Sequence, residues 1–284
     1  CALPICGGEG AKPLLACTPD GKILWKQIRG GIATASLVAA DGETVFVWNE
    51  HGQYAPRSLY RVDARTGGYT VWSRNNSTDL AMGEVFAGEP DIPDRPDSLA
   101  AGNGKVFVGC GGRGVVAVLD AKSGDRLRLL AVPKPGDLEL GPDGALYAVS
   151  EAKKILAVNP DTGAVREVGT VPLEGKDWVA AVAVDRDGDV YCGVRGDRHY
   201  VQVLGRDGKP ARTIGVRPGR RLVGPWQPEG LFQISALAVD GQGQLWATEQ
   251  DGQPRRVSVW NAKTGAFVRE FFGSSTYGAL GAFA

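Results

Sequence analysis

The feature that most constrains this chain is a turn ending in glycine that recurs along its whole length in two alternating forms. One form is Asp41-Gly42, Asn103-Gly104, Asp143-Gly144, Asp187-Gly188 and Gln242-Gly243. The other is Asp20-Gly21, Thr66-Gly67, Ser123-Gly124, Thr162-Gly163, Asp207-Gly208 and Thr264-Gly265. Short apolar runs separate them. A tight turn of this composition between apolar runs is a hairpin signal, because its residues tolerate positive φ. The pattern calls for an antiparallel, all-β chain. Composition agrees, since 41 Gly and 17 Pro in 284 residues are the two types that most penalise a helix interior.

Laid over one another, the units read alike. Residues 237–240, Gln242-Gly243, 245–248, 257–265 and 267–271 overlay 138–140, Asp143-Gly144, 146–149, 155–163 and 165–168. Each unit is a meander of four strands, and the second-form glycines recur about 39 to 57 residues apart, the period of β-propeller blades. The N-terminal segment supplies the last three strands of a blade, its Cys6–Gly10 matching Cys110–Gly114 of a full unit. Residues 279–283 align with 236–240 and supply the missing first strand. The expectation is therefore six blades of four strands in a single domain over 1–284. Joining the termini in one blade leaves no free sheet edge.

The segment 237–248, followed by Arg256–Trp260, resembles an NHL repeat. The whole chain resembles the six-bladed, TolB-like group that includes the NHL proteins and the gluconolactonase (senescence marker protein) family. That resemblance implies ligands at the mouth of a central channel, on the face opposite the tight turns. For gluconolactonase-type members it also implies a channel metal held by a Glu, Asn side chains and an Asp. Only Asp97 and Asp137 match carboxylate positions here; the Asn and the Glu are missing from the equivalent columns.

Charge and cysteines exclude several classes. Lys+Arg and Asp+Glu are 32 each, so no global basic field recruits nucleic acid. No apolar run approaches the length of a transmembrane helix. The five cysteines (Cys1, Cys6, Cys17, Cys110, Cys192) form no C-x-x-C pair and no disulfide framework. Cys110 and Cys192 fall on second strands of non-adjacent blades and are expected to be reduced. Cys1 reads either as a lipidated mature N-terminus or as an arbitrary edge of the sequence.

Two connections between blades are long. Residues 74–96 carry Arg74, Asp79, Glu84, Glu89, Asp91, Asp94 and Arg95; residues 215–233 carry Arg217, Arg220, Arg221, Trp226, Glu229 and Phe232. In a six-fold ring they lie opposite each other. Long loops on a rigid scaffold are where binding concentrates, or else the two merely cover the channel and pair their charges. Seven residues before each first-form glycine stand Ala35, Asp97, Asp137, Ala181 and Ala236. Two carboxylates at the channel mouth favour a hard cation such as Ca²⁺ or share a proton; alternatively each caps its own loop amides.

The two histidines, His51 and His199, sit on connections, where a lone His reads first as a solvated group. Arg195, Asp197 and His199 share one connection and suit an anionic ligand. Residues 185–189 read as a turn, because their Gly precedes the third acid, unlike a calcium loop. Tyr54, Trp226, Phe232 and Tyr277 make an aromatic platform on the loops, whereas Phe46, Phe107, Tyr147, Tyr191 and Trp246 share a packing column. The expected function is a ligand- or partner-binding module, secreted or in the cell envelope and part of a larger polypeptide. It takes a carbohydrate, peptide or protein domain at Asp97, Asp137, Arg195, His199, Arg220, Arg221, Trp226, Glu229 and Tyr277. The rival is a Ca²⁺-dependent hydrolase or lyase with Asp97 and Asp137 as metal ligands.

Overall fold

A computed structural model describes residues 2–4, 14–26, 35–50, 56–91, 95–221, 223–249 and 255–272. The chain divides into two compact units, one ending at Val132 and one over Pro133–Gly273. In the first, β1 (Ala2–Pro4), β2 (Leu14–Cys17) and β3 (Ile23–Lys26) form one sheet. A second holds β4 (Ala35–Asp41), β5 (Thr44–Asn49), β6 (Leu59–Asp63) and β7 (Tyr69–Thr70), with β8 (Asp79–Leu80) also pairing β6. After α1 (Met82–Val85) comes a third sheet of β9 (Ser98–Gly102), β10 (Lys105–Cys110), β11 (Val115–Asp120) and β12 (Arg126–Ala131).

The second unit repeats the meander three times. Its sheets are β13 (Pro135–Leu140), β14 (Leu146–Ser150), β15 (Lys154–Val158) and β16 (Val165–Thr170); β17 (Trp178–Val184), β18 (Val190–Arg195), β19 (Tyr200–Leu204) and β20 (Pro210–Ile214); and β21 (Ile234–Val239), β22 (Gln244–Glu249), β23 (Arg256–Asn261) and β24 (Phe267–Phe272). Every pairing is antiparallel. Among the described residues five sheets carry the four-stranded meander and the N-terminal one carries three, so the blade count is five rather than six. Residues 279–283, on which the sixth depends, lie outside the described residues.

The turns form for the reason their sequence suggests. All eleven turn glycines have positive φ, from +57° at Gly42 to +91° at Gly21, which a Cβ would penalise. An upstream Asp or Asn caps the amides of the second-form turns: Asp63, Asp120, Asn159 and Asn261 each accept backbone N–H groups two or three residues on. In the first-form turns of the second unit one carboxylate does two jobs. Asp185 Oδ1 takes the amides of Asp187 and Asp189, while Oδ2 accepts the Tyr191 hydroxyl at 2.9 Å. Asp240 does the same for Gln242, Gln244 and the Trp246 indole, and Asp143 for Ala145 and the Tyr147 hydroxyl. Tyr147, Tyr191 and Trp246 of the packing column are thus anchored by their own turns, and residues 185–189 are a turn, as read from sequence.

Middle strands are buried almost throughout, as in β14 and β19, because neighbours cover both faces; outer strands such as β16 are largely exposed. The first strand of four sheets starts with a register shift, at Ala35/Leu37, Pro135/Leu138, Val179/Ala181 and Ile234/Ala236. Such bulges re-aim side chains next to functional sites. Cys17, Cys110 and Cys192 are buried and free.

The acidic connection 74–96 departs from the expectation of an open loop. Trp72 bridges Ser77, β8 adds to β6, and Trp72, Leu80, Met82, Val85 and Phe86 are buried in the first unit's core. Glu84 and Glu89 of this connection are both paired. Glu84 pairs with Arg74 at 3.3 Å and caps the Ala81 amide, and Glu89 meets Arg113 at 3.5 Å and Arg126 at 3.7 Å. Sequence-distant arginines, Arg113 of the β10–β11 turn and Arg126 of β12, supply partners that inspection of the loop alone does not reveal.

Candidate functional site

The charged and aromatic side chains singled out on the second unit converge at the strand ends remote from the tight turns. Arg195 closes β18, His199 precedes β19, and Arg220, Arg221, Trp226 and Glu229 stand on the 215–233 connection. Opposite charges flank the connection from β22 to β23, where Glu249 and Arg256 are cross-strand partners. Glu249 is the hub. Its Oε1 accepts Arg256 Nη1 at 2.9 Å and its Oε2 accepts Arg220 Nη2 at 3.1 Å. Arg256 also donates from Nε to Glu270 Oε2 at 2.7 Å, from Nη1 to the Gly230 carbonyl at 2.7 Å, and from Nη2 to the Pro228 carbonyl. The side chains of Arg256 and Glu249 are 0% exposed. Burial pushes the Glu249 carboxyl up, and Arg256 and Arg220 pull it back down.

This network carries an exposed aromatic. The Trp226 ring is stacked by Arg220 at 4.8 Å and by Arg256 at 5.4 Å, and its indole N–H donates to Glu270 Oε1 at 2.9 Å. Phe272 meets it edge-on at 5.4 Å. Trp226 remains 41% exposed, Phe272 53% and Val223, on the same connection, 87%. Across the same end, Arg195 stacks on Trp178, itself 41% exposed, and donates to Gln233. Arg221 and Glu229 are exposed, and they contribute a backbone amide and a backbone carbonyl to the connection's internal hydrogen bonds.

His199 corrects the expectation of a solvated group. It is 6% exposed, wedged edge-on against Phe232 at 4.5 Å, and its Nδ1 finds no hydrogen-bond partner among the described residues. Burial and then the neighbouring Arg195 hold its pKa down, so the imidazole is neutral at pH 7. Arg220 is equally buried. Arg220 lies over the Trp226 ring, and His199 packs on Phe232. Tyr54, Tyr277 and His51 lie outside the described residues.

The two channel aspartates fall in different units, and each is engaged within its own. Asp97 Oδ2 accepts the Gly111 amide at 2.6 Å, and Asp137 Oδ2 accepts the Val182 amide at 2.9 Å, tying β13 to β17. Both therefore accept amides of other segments rather than of their own loops, and no cluster of three or more His, Cys, Asp or Glu suited to a metal occurs among the described residues. Beside Asp137 stands an acid that sequence reasoning missed. Glu139 lies two positions along the same strand, just past the bulge, close enough to feel the charge of Asp137. Burial pushes Asp137 up to about 7, and burial plus the charge of Asp137 pushes Glu139 up to about 8.

Because the folded pKa values exceed those of an unfolded carboxyl, roughly 4, the folded state binds more protons in between. The stabilisation is complete below the unfolded value and is lost as pH rises through the folded ones. An Asp137→Asn, Glu139→Gln protein, which keeps an acceptor for Val182, should match the parent near pH 4. At pH 8.5 it should be the more stable of the two by several kcal/mol. Melting curves of both proteins against pH check this.

No family model matches the chain, and no curated protein matches it. Solved structures do. A chain of the nidogen/laminin complex superposes with a TM-score of 0.58 at 14% identity, covering 93% of each chain. Hydrazine synthase of Kuenenia stuttgartiensis superposes with a TM-score of 0.54 at 15% identity, and this chain spans 84% of itself and 66% of that one. The fold is a β-propeller. At these identities the likeness concerns architecture alone, and propellers host unrelated chemistries.

Proposed function

We propose that this β-propeller is a binding module that grips a peptide or protein segment at the Trp226–Phe272 pair. One observation carries the reading: Trp226 is presented to solvent while two arginines and a glutamate hold its ring from behind. An exposed aromatic normally loses rotamer freedom on binding, and a pre-fixed one avoids that cost. Trp, flanking arginines and an apolar rim are also the composition of interface hot spots. That a similar propeller comes from a nidogen/laminin complex supports the choice of a protein partner. The calcium-enzyme reading is less favoured, because both candidate ligands already serve backbone amides.

The same reading takes residues 279–283 as the fourth strand of the β1–β3 sheet, which would give six blades. Its support is the meander itself, since the strand lacking there is the counterpart of β4, β9, β13, β17 and β21. Membership of the NHL or gluconolactonase groups is part of this proposal, resting on the repeat in 237–260.

Parent protein and a Trp226→Ala variant, captured side by side from one extract, test the binding reading. A partner retained by the parent should be depleted about tenfold or more with the variant, a loss of at least ~1.4 kcal/mol. A glycan-array signal abolished by the same substitution would assign the platform to carbohydrate instead. Equal capture by both proteins would rule the platform out.

A further inference from the structure

At the opposite end of the second unit, among the tight turns, lies a cleft of about 740 Å³ between the sheets β13–β16 and β17–β20. It plays no part in the proposed partner site. One wall is apolar, made by Tyr147, Val168 and Val184, and three exposed arginines, Arg166, Arg186 and Arg206, stand around it. Turn geometry places them. Arg206 rides on the β19–β20 turn with its stem over Gly188, where a Cβ would meet its Cγ at 3.6 Å. Arg186, on the β17–β18 turn, lines the cleft while its Nη2 extends toward the β21–β22 turn, 3.4 Å from the Cβ position of Gly241.

The acids nearby are already occupied. Asp143 accepts the Tyr147 hydroxyl at 3.1 Å and faces Arg166 at 3.8 Å. Asp187 is paired with Lys263, Asp189 with Arg212 at 3.2 Å, and Asp207 with Lys209 at 3.6 Å. Asp185 is filled by two amides and the Tyr191 hydroxyl. Arg186 and Arg206 are left with no hydrogen bond or ion pair among the described residues. Two fork-shaped donors of this kind, beside an apolar wall, suit the planar or tetrahedral oxygens of an anion.

We propose that this cleft is a ligand site for a small polyanion, phosphoryl or polycarboxylate, whose oxygens are met by Arg186 and Arg206 while its body rests on Tyr147 and Val184. Titration calorimetry at low ionic strength, with inorganic pyrophosphate and with citrate, tests it on the parent, on Arg186→Gln, Arg206→Gln and on Trp226→Ala. One of the two probes should saturate a single site on the parent. The double variant should bind it at least about tenfold more weakly at an unchanged melting temperature, since the lost contacts are charge-assisted. Trp226→Ala should bind as the parent does, which separates this site from the partner platform. Tighter binding of pyrophosphate assigns the phosphoryl class and tighter binding of citrate the carboxylate class. Absence of saturable heat with both probes, or equal affinity in parent and double variant, overturns the proposal.

Discussion

Replacing Arg256 by methionine is expected to destabilise the fold by about 3–5 kcal/mol, the cost of stranding one member of a buried ion pair. The substitution preserves most of the side chain's bulk and removes its charge. Glu249, whose side chain is fully enclosed, would retain only Arg220, and the Gly230 and Pro228 carbonyls would lose their donor. Glu270 would keep the Trp226 indole but lose its 2.7 Å contact with Nε. A chemical denaturation midpoint measures the loss. The informative companion removes all three buried charges at once, in Arg220→Met, Glu249→Leu, Arg256→Met. Apolar replacement of a whole buried ionic cluster is often close to neutral, so that protein should recover a large part of the stability while Trp226 loses both stacking guanidiniums. Stability and binding would then part company. A loss under about 1 kcal/mol for Arg256→Met would mean that the network costs as much to bury as it returns.

The sheet plan was legible because it is written locally. Each Asp-Gly or Thr-Gly pair fixes a turn through its own φ and its own capping side chain, and Phe107 or Tyr191 shows its strand position through alternation around it. Nothing in such a pattern depends on residues far away. The site was less legible for the opposite reason. Arg220 reads as a loop charge until Glu249, 29 residues on, meets it, and His199 reads as solvated until Phe232 covers it. Asp97 and Asp137 occupy the same column whether they cap amides or hold a cation, so spacing cannot choose between the two. One signal was available and unused. Glu249 and Arg256 end one hairpin with opposite charges, at strand ends where β10 and β11 carry Cys110 and Val115. Trp178 and Phe272 gave no such signal, being apolar residues on strands that look ordinary in sequence.

Glycine 208 should tolerate substitution far worse than glycine 243, although sequence presents both as turn glycines. Their φ values are nearly equal, +76° and +73°, so the conformational penalty for a Cβ is common to both, about 1–2 kcal/mol. The surroundings differ. Around Gly243 nothing lies within 4 Å of the added atom, whereas at Gly208 it would fall 1.8 Å from the Val168 carbonyl oxygen. That oxygen belongs to the backbone of β16 and cannot swing aside. The contact is reciprocal, since a Cβ at Gly169 would fall 2.3 Å from the Gly208 carbonyl oxygen. Two main chains of adjacent sheets therefore touch where both residues lack side chains. Gly208→Ala must push the β19–β20 turn away from β16, opening the packing of Val168 on the second unit's core. The expected loss is about 4 kcal/mol or more, in the range reserved for overpacked or strained positions. Gly243→Ala should lose only the shared 1–2 kcal/mol of backbone strain. Thermal melts of the two variants settle it, and equal losses would show that φ alone, not the close approach of the sheets, keeps glycine at this turn.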